Sequence, residues 1–130
     1  MRSFLVAIMM AVAMSFVACG QREKPDEALI AAHQYYDSLL AGKYSYFIRA
    51  TYLADTIPDS YREQLETNLK MFIGRMKDEH KGICGVRPLS CVHDTASQSA
   101  NAFLLLTFCD SMKEEVVIPM VYRRGRWLMK

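Results

Sequence analysis

Residues 86–130 read VRPLSCVHDTASQSANAFLLLTFCDSMKEEVVIPMVYRRGRWLMK, and this stretch decides the fold. Four strand-like runs, Val86 to His93, Ala102 to Cys109, Glu115 to Tyr122 and Arg126 to Lys130, alternate with polar or glycine-bearing turns. That pattern predicts an antiparallel sheet with short connections. Residues 95–101 and 110–113 supply two hairpin loops, and Arg123-Arg124-Gly125 supplies a tight third in which glycine takes positive φ. Pro119 lacks a ladder donor, which predicts an edge, a bulge or a bend in the third run.

Upstream of the sheet the apolar period is helical. Ala28, Leu29, Ala32, Tyr35, Tyr36, Leu39 and Leu40 recur at three- and four-residue spacings, with Glu27, Gln34 and Asp37 on the other face. Pro25 and Asp26 suit the first turn of this helix, and Gly42 suits its end. Ser45 to about Leu53 reads as a second, shorter helix with Ser45 as cap. A third starts near Pro58, where Ser60 and Glu63 form a capping box, and Tyr61, Leu65, Leu69, Phe72, Ile73, Met76 and His80 trace its apolar stripe. Gly74 weakens it by up to about 1 kcal/mol unless a neighbour packs on the bare backbone, and Gly82 stops it. Helices followed by antiparallel strands predict an α+β domain, its helices packed on one face of a curved sheet of about four strands.

The opening segment is of a different kind. Arg2 precedes an uncharged apolar run from Phe4 to Ala18, which ends with Phe16-Val17-Ala18-Cys19. This resembles a bacterial lipobox: a small residue admits the signal peptidase and the following thiol takes the diacylglyceryl group. A membrane span needs roughly 20 apolar residues, and this run is shorter. The expected organisation is therefore a lipoprotein signal over 1–18, a lipidated tether over 19–25 and one domain over 26–130. The implied location is the bacterial cell envelope, with the chain held at a membrane, facing the periplasm or the surface, by lipid on Cys19. Removing 18 of 130 residues leaves 112, enough for one core. Arg2 leaves with the signal, so 15 basic side chains face 14 acidic ones, and no basic field exists to recruit nucleic acid.

The order of elements also resembles the nuclear transport factor 2-like, or cystatin-like, roll, and within it small bacterial lipoprotein domains of unknown function. The resemblance is carried by Leu39-Leu40-Ala41-Gly42-Lys43-Tyr44, the helix through Phe47, and the final hairpin Val121-Tyr122-Arg123-Arg124-Gly125-Arg126-Trp127. It implies a cone with an open mouth between sheet and helices, holding a small molecule or plugged by side chains. Tyr36, Tyr52, Phe72, Phe103 and Trp127 are the candidate pocket lining.

No catalytic set can be assigned. Isomerases and dehydratases of this superfamily need a base facing the cavity beside an oxyanion stabiliser, and no such set maps onto the chain. His93 and Asp94 are neighbours in a strand and point to opposite faces. His33, His80 and His93 lack zinc-type spacing, so neither a metal nor a cofactor is expected. With Cys19 lipidated, Cys84, Cys91 and Cys109 remain in an oxidising compartment, predicting one disulfide and one free thiol. Cys84 with Cys91 is the favoured pair, and Cys91 with Cys109 the alternative. The function expected is a noncatalytic domain that binds a small apolar molecule or an envelope protein. The alternative is a small isomerase- or dehydratase-like enzyme using the roll cavity.

Overall fold

The Asp26 carboxylate opens the first helix, accepting from the backbone N–H groups of Ala28 and Leu29 at 3.0 and 3.2 Å. It is the N-cap, outside the first turn where sequence had placed it, and so satisfies two donors that a helix start leaves orphaned. The computed structural model describes residues 26–130; the expected signal over 1–18, Cys19 and the expected tether lie outside them. The elements are α1 (Glu27–Leu40), α2 (Tyr44–Arg49), a 3₁₀ turn (Ala54–Thr56), α3 (Asp59–His80), then β1 (Ile83–Asp94), β2 (Ser99–Phe108), β3 (Lys113–Arg123) and β4 (Arg126–Met129). The strands form one antiparallel meander in the order β1-β2-β3-β4. The α+β class and helix-on-sheet arrangement are as the sequence predicts.

Along β2 the side chains alternate, so that Ala100, Ala102, Leu104, Leu106 and Phe108 are buried on one face. Helix α1 buries Ala28, Ala32, Tyr35 and Leu39. Ala28, Ala32 and Ala102 retain no exposed surface, and they join Leu104, Ile118, Met120 and Met129 in one core cluster. Small side chains on both partners let the helix backbone approach the sheet closely. The Tyr35 hydroxyl then donates to the Trp127 carbonyl at 2.6 Å, tying α1 to β4. The chain after α2 adds to the same edge, where Tyr52 N–H donates to Met129 C=O and Met129 N–H to Ala50 C=O.

Three local expectations change. Ser45 and Ser60 lie inside their helices, and α2 and α3 start after Lys43 and Pro58 without a side-chain cap. Gly74 has nothing within 4 Å of where a Cβ would stand, so no neighbour explains it. Pro119 stands within β3, flanked by β2 and β4, and pairs with Asn101 in unbroken register. Its carbonyl accepts from Lys130 N–H, just beyond the end of β4. A strand residue's nitrogen and carbonyl point the same way, so its bare nitrogen faces the side where β4 runs out. The bulges fall in β1 instead, around Cys84 and Leu89. The last hairpin is tight as expected, with Arg124 at φ 55° and Gly125 at φ 78° as a two-residue loop.

The disulfide joins Cys84 to Cys109, which corrects both sequence-based pairings, and Cys91 is free. The reason is register. Strand β1 begins at Ile83, opposite Phe108, so Cys84 and Cys109 meet at one end of the β1–β2 pair while Cys91 faces Ala102 further along. The same end is held by Cys109 N–H to Gly82 C=O at 2.9 Å, by Asp110 N–H to His80 C=O at 3.1 Å, and by His80 Nδ1 against Asp110 Oδ2 at 2.8 Å. The hydrogen bond from His80 holds the Asp110 carboxyl below its ordinary range. Non-reducing peptide mapping should recover Cys84 joined to Cys109 and leave Cys91 unpaired. Replacing Cys84→Ser should lower the unfolding free energy in urea by about 2–4 kcal/mol. Recovery of a Cys84–Cys91 peptide would contradict this register.

Candidate functional site

Two residues apart on β1, Cys91 and His93 point to the same face, opposite Ala102 and Ala100 of β2, which is the face that α1 covers. The N-terminal end of α1 lies above them. One carboxylate oxygen of Asp26 is engaged by the helix, and the other lies 2.6 Å from His93 Nε2. The donor atoms of Asp26, Cys91 and His93 all fall within 4.8 Å of one another. Trp127 sets the edge of this group, its ring 5.4 Å from that of His93 in an edge-to-face contact, with Tyr122 a further 5.4 Å away.

The electrostatics of the three are coupled. Burial raises Asp26, but the hydrogen bond with His93, those from Leu29 and Ala28, and attraction to His93 together hold its carboxyl below the ordinary value. Burial pushes the Cys91 thiol up to about 11, and the facing Asp26 carboxylate adds to this by repelling a thiolate and accepting from the thiol. At neutral pH the sulfur is therefore a thiol and a poor nucleophile.

Two clefts flank the seat of α1. One, of about 290 Å³, is lined by Glu27, His93, Asp94, Thr95, Gln98, Tyr122 and Trp127. The other, of about 340 Å³, is lined by Tyr35, Tyr46, Arg49, Ala50 and Arg126. Between them the sheet face is filled by the apolar core, and no polar or charged residue is buried among the described residues. Tyr35, on the second cleft, has its phenol raised by burial, opposed in part by Arg126.

The residues expected to line one pocket are dispersed. Tyr36 packs edge-on against Phe47 at 5.5 Å, and burial raises its phenol. Tyr52 is exposed, and Phe72 lines a separate groove on α3 with Asn68, Met71 and Arg75. Phe103 pairs with Val117 on the face of the sheet away from α1. Trp127 alone of the five stands beside the cluster. The physical reason is that α1 occupies the space between sheet and helices where a shared cavity would lie.

His93 and Asp94 point to opposite faces of β1, as their adjacency in a strand predicts: Asp94 caps Ala96 N–H, and the partner of His93 is Asp26. The legible signal was Cys91-Val92-His93, in which strand alternation puts Cys91 and His93 on one face. Nothing local pointed to Asp26. His33 and His80 lie elsewhere, His33 at 3.0 Å from the Val86 carbonyl and His80 stacked on Phe108 at 4.3 Å.

No protein-family model matches the chain, and no curated protein matches it. Two solved structures are similar in fold. One is a Campylobacter jejuni protein provisionally described as an NTF2-like transpeptidase, with a TM-score of 0.64 and 12% identity, over 80% of this chain and 97% of that one. The other is a SEC-C motif containing protein from Rhodopseudomonas palustris, with a TM-score of 0.51 and 11% identity, over 81% of this chain and 78% of that one. The chain has the nuclear transport factor 2-like fold.

The coupling of Cys91 to Asp26 is open to direct measurement. Alkylation of Cys91 by iodoacetamide in the folded protein should be slow at pH 8 and accelerate towards pH 11. In Asp26→Asn, which keeps a good helix cap, loss of the carboxylate should bring the thiol back towards its ordinary value of 9.0 and raise the pH 8 rate several-fold. An unchanged rate would separate the two groups.

Proposed function

We propose that this chain is an envelope lipoprotein, held at a membrane by lipid on Cys19, and that its domain binds a partner without catalysis. The anchor reading is supported by the apolar run from Phe4 to Ala18 that ends directly before Cys19. Acyl chains contribute about 0.8 kcal/mol per buried methylene, so several chains on one residue hold a small domain without help from its surface.

The observation that carries the noncatalytic reading is the filled sheet face. Isomerase or dehydratase chemistry of the kind this fold can host needs an ionisable group inside a water-excluded cavity. Here Ala28, Ala32, Tyr35, Leu104 and Met120 occupy that space. What remains are open clefts at its margins and, on the far face of the sheet, an apolar strip in which Val92 and Val117 are 61% and 51% exposed beside half-buried Phe103 and Leu105. Such a strip suits contact with another protein.

One observation favours the enzymatic alternative: His93, backed by Asp26, shares a cleft with Tyr122. Against it, the His93 side chain is 36% exposed, so water reaches its ring. The Campylobacter jejuni protein of similar fold is provisionally described as a transpeptidase; in this chain the thiol of Cys91, held protonated, is poorly suited to act as a nucleophile.

Fractionation of cells producing the full chain should find it with the membranes, and Cys19→Ser should move it to the soluble fraction. Mass spectrometry of the membrane form should find an acylated cysteine as the first residue. An unmodified N-terminus, or a first residue other than Cys19, would overturn the anchor.

A further inference from the structure

We propose that Asp26, Cys91 and His93 form a binding site for a divalent transition-metal ion of the zinc type, with a fourth position open to the cleft beside Trp127. The donor set is one sulfur, one imidazole nitrogen and one carboxylate oxygen, which is the chemistry zinc selects. Three protein ligands with one open position is the arrangement of a site that takes water or an exogenous ligand.

The geometry is close to what the ion needs. Bonds of about 2.0–2.3 Å in a tetrahedron place ligand atoms about 3.3–3.5 Å apart, and the three donors lie within 4.8 Å of one another. The Asp26–His93 contact of 2.6 Å opens by under about 1 Å to admit an ion. The ligands are also held from behind. One oxygen of Asp26 is fixed by the Ala28 and Leu29 N–H groups, leaving the other free, and Trp127 sits against the His93 ring. Cys91 and His93 come from one rigid strand, and Asp26 from the capped end of a helix packed onto it.

The surroundings favour a cation. The cleft on which His93 opens carries Glu27 and Asp94, and no Lys or Arg is among its lining residues. On binding, the Cys91 S–H bond breaks, its electron pair forms the metal–sulfur bond, and the proton passes to solvent. The imidazole binds as the neutral ring, its single hydrogen carried by the other nitrogen. The site is independent of the lipid anchor.

The test is titration of the full chain, purified in detergent with its disulfide intact, with Co²⁺ alone. One equivalent should produce near-ultraviolet thiolate-to-cobalt charge-transfer absorption, which Zn²⁺ then abolishes. Cys91→Ser should lose the absorption, and His93→Gln and Asp26→Asn should each weaken Co²⁺ binding at least about tenfold. Asparagine still caps α1, so Asp26→Asn reads the ligand and not the helix. Should Cys91→Ser fail to fold, the wild-type chain decides the matter, because bound Zn²⁺ should slow alkylation of Cys91 at least about tenfold. Absence of the charge-transfer absorption, its survival in Cys91→Ser, unaltered binding in both other variants, or an alkylation rate indifferent to Zn²⁺ would overturn the proposal.

Discussion

Helix α1 lies on the sheet through Ala28 and Ala32, neither of which keeps any exposed surface, and the rest of the domain is arranged around that contact. Alanines at i and i+4 give the helix a smooth stripe, and Ala100 and Ala102 give the sheet a matching shallow floor. Close approach of two backbones then lets larger side chains, Tyr35 and Leu39 from the helix and Leu104 and Met120 from the strands, close the remainder of the core. Close-packed interiors resist added volume, so a larger residue in this stripe would lift the helix off the floor. Two other features follow from the same contact. The space that the fold offers between helices and sheet is filled, and the N-terminal end of α1 is delivered over β1, with Asp26 facing Cys91 and His93.

The opposite end of β1 is secured by a different device. There the disulfide from Cys84 to Cys109, the His80–Asp110 pair and two backbone hydrogen bonds join the end of α3 to the β2–β3 turn. Helix α3 needs this help, since none of its 22 residues is buried and its stripe of Leu65, Leu69, Ile73 and Met76 is only half covered. The cross-link between residues 25 apart limits the unfolded chain over β1 and β2, while His80 ties the end of the shallowly packed helix to Asp110 through its ring and its carbonyl.

Period and turn chemistry are local, and they made the four strands, the tight turn at Arg124-Gly125 and the α1 stripe legible in the sequence. The disulfide was not legible, because it depends on β1 starting at Ile83 with a bulge at Cys84. The dispersal of the expected pocket residues has a related cause: on β2 the small residues Ala100 and Ala102 mark the inward face, and alternation turns the larger Phe103 outward. At the candidate site the Cys91-Val92-His93 alternation could be read, whereas Asp26 is a helix cap that only the seating of α1 brings to the strand. The capping role and the site role of that one carboxylate use different oxygens, so neither displaces the other.

Everything at the site thus rests on the seating of α1 placing Asp26 against His93. A double-mutant cycle measured by urea unfolding in chelator, with Asp26→Ala, His93→Ala and both together, isolates that contact, since the lost helix cap contributes equally with and without His93. The expected result is a coupling of about 0.5–3 kcal/mol between the two residues. Effects that add to within about 0.3 kcal/mol would contradict the contact of Asp26 with His93 on which the site depends.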